Sequence, residues 1–210
     1  MTVNIFFDLD GTLLDSRKRL YTLFQDLAPE SNLSIGEYWE LKRNKIDHKT
    51  ILTEKFGYSE DDFDHFERAW LDKIELFDYL RLDTPIHGLH DVLDALINNN
   101  NNLYIVTSRQ NRENVFIQLE NMGIYKYFTD VLVTEHKYKK TKLIRTLRYQ
   151  DEDFLVGDTG YDVLTGKELN VNTIAVTYGF LKKEILETYK PSFVVDKLTD
   201  ILPIIQNRYL

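Results

Sequence analysis

Two carboxylates, Asp8 and Asp10, directly follow the short apolar run at residues 3–7. Such a run is typical of a buried strand, and charged groups are costly at its end unless they have a partner or a task. Once the strand ends, Gly11 gives the backbone freedom to turn both acids towards one point. Two acids this close repel each other unless a cation or a shared proton offsets their charge. We therefore expect a divalent cation beside them, although the same residues could simply end a strand and cap the next segment.

Two later apolar runs also end in polar residues, with hydroxyls and a guanidinium after one and carboxylates after the other. These residues are Thr107, Ser108 and Arg109 after the run at 103–106, and Asp158 and Asp162 after the run at 154–156. A cluster of lysines lies between the two runs, at Lys137, Lys139, Lys140 and Lys142. Arg109 is open to two interpretations, contact with a substrate anion or an exposed ion pair.

Carboxylates, hydroxyls and a lysine at the ends of strands and helices are the groups that phosphoryl transfer requires. Several carboxylates can hold Mg²⁺, which prefers oxygen ligands. A hydroxyl and an ammonium group can bind the non-bridging phosphate oxygens and stabilise the transition state. A carboxylate can also attack phosphorus, so that the displacement occurs in two steps through an aspartyl-phosphate.

The elements that must position these residues follow from the apolar spacing. Short apolar runs alternate with helical patterns from residue 82 onward, at 103–106, 131–133, 154–156, 173–176 and 193–195. This alternation predicts parallel strands joined by helices, hence an α/β fold with a doubly wound, Rossmann-like parallel sheet. Ligands bind at the carboxyl ends of the strands in such sheets, where the polar residues lie.

The intervening segment, residues 16–81, has helical spacing throughout and is too long for a connecting loop, so we expect an inserted helical domain. Ser34 and Glu37 predict a capping box at the start of one helix. An apolar stripe from Phe63 to Leu80 predicts one long final helix whose aromatic residues pack in the interior. The five histidines show no metal-binding spacing, and we expect surface or capping roles for them.

Composition limits the classes of function. The chain has 210 residues, 43% hydrophobic and 29% charged, with a net charge of -8 and no cysteine. The lack of cysteine excludes thiolate nucleophiles and cysteine-bound metals, and the acidic balance argues against a broad nucleic-acid surface. No apolar stretch is long enough to span a bilayer and no export signal is visible, so we expect a cytoplasmic protein with no membrane partner.

Taken together, the motifs resemble those of the haloacid dehalogenase superfamily of hydrolases, over essentially the whole chain. Its four motifs stand in order as the acids and glycine at 8–12, Thr107 after an apolar strand, a lysine, and the segment 157–162. The segment 176–180 is similar to the one that follows the fifth core strand in members like phosphoglycolate phosphatase. The resemblance implies that subgroup, with a core at 1–15 and 82–210 and a helical, C1-type cap at 16–81.

The resemblance also implies a role for each site residue. Asp8 would be the nucleophile and bind Mg²⁺, while Asp10 would be the acid and base with its backbone carbonyl on the metal. Asp158 would complete the metal site and Asp162 would support it from outside. Thr107 and Ser108 would bind the phosphate, together with Lys140 or, in another alignment, Lys137.

The implied function is a Mg²⁺-dependent phosphatase that hydrolyses small phosphorylated metabolites through an aspartyl-phosphate on Asp8. Dehalogenation is disfavoured because dehalogenases of this superfamily lack the second acid of the first motif, which is present here as Asp10. Two alternatives stay open. One is a sugar-phosphate mutase similar to β-phosphoglucomutase, and the other is a binding module that becomes phosphorylated on Asp, as in response-regulator receivers.

Overall fold

The computed structural model of the protein describes residues 2–206. The chain forms two compact units, which we call the core unit and the helical unit. The core unit comprises the residues up to Asp15 and from Pro85 onward, and the helical unit is Ser16–Thr84. The inserted segment therefore extends past residue 81, where the sequence analysis ended it, to Thr84.

The structure describes eight strands, most of them in the core unit. The strands are β1 (Asn4–Phe7), β2 (Leu14–Asp15), β3 (Thr84–Pro85), β4 (Asn102–Thr107), β5 (Asp130–Val133), β6 (Phe154–Gly157), β7 (Asn172–Val176) and β8 (Phe193–Val195). Six of them form one sheet in the order β5-β4-β1-β6-β7-β8, and every neighbouring pair is parallel. The predicted α/β fold with a parallel sheet is confirmed. The short strands β2 and β3 pair separately.

Strand β1 lies at the centre of the sheet, between β4 and β6. Its four residues are all buried, because apolar layers cover both faces of the sheet. Phe7 packs on one face with Ile105, while Phe6 packs on the other with Leu155. This explains the continuous apolar run in the sequence, which is typical of a parallel strand buried on both faces. Since β1, β4 and β6 run in the same direction, the residues that follow them meet at one edge.

The opposite edge of the sheet is secured by a buried carboxylate that the sequence analysis did not single out. Asp153, just before β6, accepts hydrogen bonds from the backbone amide of Asn4 (2.8 Å), from its side-chain amide (2.8 Å) and from the amide of Gln150 (2.9 Å). Asn102, at the start of β4, donates in turn to the Asn4 side chain (3.0 Å). These bonds tie the beginnings of three neighbouring strands together.

Helices join the strands of the core unit and build the helical unit. The core helices are α6 (Leu89–Asn98), α7 (Arg112–Asn121), α8 (Lys140–Ile144), α9 (Gly160–Leu169), α10 (Lys183–Thr188) and α11 (Ile201–Gln206). The helical unit contains α1 (Arg17–Leu27), α2 (Ile35–Arg43), α3 (His48–Thr50), α4 (Glu60–Lys73) and α5 (Phe77–Leu80), with a π-helical turn at Ile51–Lys55. Within residues 2–206, no helix is long and apolar enough to cross a membrane.

The predicted capping box is confirmed at the start of α2. The Ser34 hydroxyl accepts from the Glu37 amide (3.3 Å), and the Glu37 carboxylate accepts from the Ser34 amide (2.9 Å).

The prediction of one long final helix is wrong, because α4 ends at Lys73 and α5 starts at Phe77, which is 44% exposed. Buried Arg19 donates to the carbonyl of Ile74 (3.2 Å), which draws that carbonyl away from helical hydrogen bonding.

The surface or capping role expected for His48 is also wrong. Its ring packs among Phe24, Phe66 and Trp70, with ring centroids 4.3 Å apart for His48 and Trp70. A hydrogen bond of 2.9 Å joins its Nε2 to the hydroxyl of Tyr38. Burial lowers the pKa of His48 well below its ordinary value, and the nearby charge of Lys42 lowers it further. His48 is therefore a neutral member of the interior of the helical unit.

Candidate active site

The edge at the carboxyl ends of the central strands collects the polar residues singled out in the sequence. Asp8 directly follows β1, and its amide donates to the Val156 carbonyl at 2.9 Å, which holds it beside the end of β6. Asp158 directly follows β6, and Thr107 is the last residue of β4. Lys140 is the first residue of α8, which packs against β4 and β5. Residues distant in sequence therefore lie within one small region.

Lys140 connects two carboxylates at the centre of this region. Its Nζ lies 2.5 Å from Oδ1 of Asp8 and 2.7 Å from Oδ1 of Asp162, and its side chain is only 3% exposed. Burial alone would lower the pKa of Lys140, but Asp162 and Asp8 raise it above its ordinary value, so it stays charged. Lys137, the other candidate, is 66% exposed and pairs with Glu135 at 3.6 Å. The geometry thus favours Lys140.

Asp8, Asp158 and Asp162 form an acidic cluster, in which one oxygen of each lies within 4.8 Å of the others. Burial raises the pKa of Asp8 to about 7; Lys140 acts against this shift, while Asp162 and Asp10 add to it. Burial also raises the pKa of Asp158 well above its ordinary value, and the charges of Asp8 and Asp162 add to the shift. Lys140 contacts two of these three acids, so a further positive charge would relieve their repulsion. Carboxylate oxygens are the donors that Mg²⁺ prefers, and these residues fit it.

Two glycines make room for the Asp158 carboxylate. Its Oδ1 accepts from the Thr12 hydroxyl (3.2 Å) and its Oδ2 from the Phe180 amide (2.6 Å). A Cβ atom on Gly11 would lie 2.1 Å from Oδ2, and one on Gly179 would lie 2.2 Å from it. Gly11 also has a φ of 80°, which disfavours other residues. The segment 176–180 thus supports Asp158, although the sequence could not show which side chain it serves.

Asp162 contacts both Lys140 and the start of α9. Its Oδ1 accepts from Lys140, and its Oδ2 accepts from the amide (3.1 Å) and hydroxyl (2.5 Å) of Thr159 in the capping box of α9. A Cβ atom on Gly157 would lie 2.3 Å from Cβ of Asp162, so glycine allows this close approach. Asp162 is thus one of the three carboxylates of the acidic cluster.

The Asp10 carboxylate points to a different partner. Arg109 holds it through two parallel hydrogen bonds, Nε to Oδ2 at 2.6 Å and Nη2 to Oδ1 at 2.7 Å. The Arg109 side chain is 3% exposed and that of Asp10 is 21% exposed, so the exposed ion pair considered for Arg109 is wrong. The acidic cluster does not include the Asp10 carboxylate. Any contact of Asp10 with the metal expected there would come from its backbone carbonyl, as the resemblance implies.

Thr107 and Ser108 lie at the same edge. Thr107 is buried, and its hydroxyl accepts from the Arg109 amide at 3.3 Å. Ser108 is exposed. The segment thus carries two hydroxyls next to Arg109 in sequence, a composition that suits the binding of an anion.

The chain has known relatives over nearly its full length. Pyrophosphatase PpaX from Oceanobacillus iheyensis is 25% identical over 213 residues, which cover 98% of this chain and 97% of that protein. Pyrophosphatase PpaX from Bacillus cereus is 26% identical over 231 residues, which cover 99% and 98%.

Solved structures share the fold. A haloacid dehalogenase-like hydrolase from Streptococcus pneumoniae has a TM-score of 0.80 at 20% identity, covering 98% of this chain and 99% of that one. A predicted phosphoglycolate phosphatase from Haemophilus somnus has a TM-score of 0.75 at 22% identity, covering 98% of each chain. In addition, residues 5–176 match the sequence profile of the family described as Haloacid dehalogenase-like hydrolase. Because this match spans most of the chain, the protein belongs to the haloacid dehalogenase-like hydrolase family, as its motifs predict.

Proposed function

We propose that the protein is a Mg²⁺-dependent phosphatase that hydrolyses small phosphorylated metabolites through an aspartyl-phosphate on Asp8. The observation that carries the proposal is the placement of Asp8, in contact with Lys140 at 2.5 Å and within an acidic cluster of three. An acid in this position has a cation to orient it and acidic neighbours whose excess charge favours a metal. Family membership supports a hydrolase, and the relatives named as pyrophosphatases support phosphate as the group transferred.

In the first half of the proposed reaction, a carboxylate oxygen of Asp8 attacks phosphorus and the bond to the leaving oxygen breaks. A proton from Asp10 passes to that oxygen. In the second half, Asp10 takes a proton from the attacking water, the bond between Asp8 and phosphorus breaks, and phosphate leaves. Mg²⁺, held by Asp8, Asp158 and the Asp10 carbonyl with support from Asp162, would supply charge stabilisation for the transferring phosphoryl group.

The other residues of the edge would bind the phosphate. Lys140 is charged and buried, so it would neutralise a non-bridging oxygen in a site of low dielectric. Thr107 and Ser108 would donate hydroxyl hydrogen bonds, and Lys137 is given no role because it is exposed and paired with Glu135.

We further propose that the helical unit acts as a cap that excludes water and selects the substrate. Relatives are named as pyrophosphatases, and a solved structure of the same fold is named as a predicted phosphoglycolate phosphatase. Pyrophosphate and phosphoglycolate are therefore the first substrates to test, followed by sugar phosphates and nucleotides. The proposal includes a cytoplasmic location and no nucleic-acid or membrane partner.

The test is hydrolysis of p-nitrophenyl phosphate with and without Mg²⁺, with Asp8→Asn as the decisive variant. Loss of the nucleophile should lower kcat by at least about a thousand-fold. Asp151→Asn, which changes an exposed acid outside the site, should leave kcat unchanged. Activity without Mg²⁺, or an active Asp8→Asn, would contradict the proposal. Isomerisation of β-glucose 1-phosphate without hydrolysis of any substrate would favour the mutase instead.

A further inference from the structure

The contact between Arg109 and Asp10 is a paired hydrogen bond whose geometry is more specific than stabilisation of the fold requires. The guanidinium meets the carboxylate edge to edge, with two hydrogen bonds of 2.6 and 2.7 Å, one to each oxygen. A paired contact of this type fixes the plane and direction of a carboxylate, which a single bond or a lysine does not do. The side chain of Asp10 is 21% exposed, so the guanidinium holds a carboxylate that borders solvent.

The position of Arg109 is itself fixed by the element that carries Thr107. Its amide donates to the Thr107 hydroxyl at 3.3 Å, and its carbonyl accepts from the amide of Glu135 at 2.9 Å. Arg109 is therefore anchored on the segment proposed to bind phosphate, two residues beyond the end of β4. Through Arg109, the direction of the Asp10 carboxylate is tied to the place where the phosphate would bind.

We infer that Arg109 is a positioning residue that holds Asp10 as the base of the second half of the proposed reaction. In the observed pair each oxygen of Asp10 accepts one hydrogen bond from Arg109, so the guanidinium sets the direction of the carboxylate. Water forms a bond to phosphorus, its proton passes to Asp10, and the electron pair of the broken bond returns to Asp8. The inference rests on the proposed function and assigns Arg109 to hydrolysis of the phospho-enzyme rather than to substrate binding.

The test separates the two half-reactions with p-nitrophenyl phosphate and Mg²⁺. Because nitrophenolate leaves readily, kcat/KM reports phosphorylation of Asp8, while kcat reports hydrolysis of the phospho-enzyme when that step is slow. In Arg109→Gln we expect kcat to fall by about a hundred-fold, as for loss of an effective base, and KM to fall with it. A burst of one nitrophenolate per enzyme should appear in stopped flow, and intact mass should show one added phosphoryl group.

Two variants control for structural effects. Arg145→Gln removes an arginine from an exposed pair with Glu168 and should leave kcat and KM unchanged. Arg109→Lys keeps the charge but offers only a point contact, so its kcat and its burst should lie between those of the wild type and Arg109→Gln. If circular dichroism shows that Arg109→Gln is unfolded, the inference is tested with Arg109→Lys alone.

Three results would overturn the inference. An equal fall in kcat and kcat/KM with no burst would show a purely structural role, and a raised KM with unchanged kcat would show substrate binding. If Arg109→Lys folds and shows wild-type kcat without a burst, a paired contact with Asp10 is not required for the reaction. The proposed function fails separately, if wild-type protein with Mg²⁺ releases no nitrophenolate at all.

Discussion

Lys140 neutralises part of a buried acidic cluster, so its removal should cost both stability and activity. In Lys140→Met, Asp8 and Asp162 lose a partner that lies 2.5 and 2.7 Å away. Breaking a buried ion pair in this way costs about 3–5 kcal/mol. We expect a decrease of that size in the free energy of unfolding at neutral pH, and loss of phosphatase activity.

Lys137→Met is the matched control for Lys140→Met, since it removes an exposed lysine from the same segment. Its stability should change by no more than about 0.5 kcal/mol, and its kcat should stay at the wild-type value. Chemical denaturation and steady-state kinetics on both variants provide the measurement. Equal effects of the two substitutions would show that the assignment of Lys140 is wrong.

Gly179 offers a second prediction at this scale, because a methyl group there would collide with the Asp158 carboxylate. The added Cβ would lie 2.2 Å from Oδ2 of Asp158 and 2.5 Å from the carbonyl of Gly11. We expect Gly179→Ala to raise the Mg²⁺ concentration needed for half-maximal activity by about ten- to a hundred-fold, as for other groups that orient metal ligands. Gly36→Ala, where the nearest atom is 4.0 Å away, should have no such effect. An unchanged Mg²⁺ requirement in Gly179→Ala would show that Asp158 is not a ligand.

The types of the site residues could be predicted from sequence, but several of their contacts could not. Asp8, Asp10, Thr107 and Asp158 were singled out because each follows an apolar run. The choice between Lys137 and Lys140 depends on where α8 begins, which its weak local pattern does not fix. The pairing of Asp10 with Arg109 joins residues 99 positions apart, and only the central place of β1 beside β4 brings them together.

At the scale of elements, apolar periodicity predicted the central strands well because β1 and β6 are completely buried. It failed between α4 and α5, where the apolar stripe continues but Arg19 binds the carbonyl of Ile74. That contact is tertiary, since Arg19 lies on α1, and no local pattern indicates it. The surface role predicted for His48 is wrong for a related reason. His48 lies in a polar segment, which predicts exposure. Its contacts with Phe24, Phe66 and Trp70 are tertiary and are not indicated by the local sequence.

The enclosure of His48 predicts a pH dependence for the helical unit. Its folded-state pKa lies well below the ordinary value, so below about pH 6.5 the unfolded chain binds a proton that the folded unit does not. The helical unit therefore has its full free energy of unfolding above that pH. As the pH falls below it, this free energy decreases by at most about 1.4 kcal/mol per pH unit. The nearby charge of Lys42 acts in the same direction.

The measurement uses the fluorescence of Trp39 and Trp70, the only tryptophans in the chain, both of which lie in the helical unit. Urea unfolding between pH 7.5 and 5.0 should show a steeper loss of stability for wild type than for His48→Gln, which can keep a hydrogen bond to Tyr38 but does not titrate. Equal pH dependence in the two proteins would mean that His48 is readily protonated in the folded state.

For the whole molecule, the excess acid at the sheet edge predicts that Mg²⁺ stabilises the protein as well as activating it. A ligand that binds only the folded state adds about 2.7 kcal/mol at a concentration a hundred times its Kd. We expect Mg²⁺ to raise the calorimetric unfolding midpoint, and a chelator to reverse the effect. Asp158→Asn should lose this response, whereas Asp151→Asn should keep it. A midpoint that does not respond to Mg²⁺ in wild type would argue against a metal at Asp8 and Asp158.

The central place of β1 also has a consequence for the order in which the chain folds. Asn4 faces Asn102 and Ile5 faces Phe154 in the sheet, so the first strand cannot take its place until both distant segments are available. Contacts between residues so far apart form late, because closing long loops costs entropy. The helical unit lies wholly within Ser16–Thr84 and needs neither segment. During synthesis, this inserted unit should therefore fold before β1, the strand that leads to Asp8, can pair with its neighbours. Pulse-labelled hydrogen exchange during refolding should show protection in α1 and α4 before protection in β1.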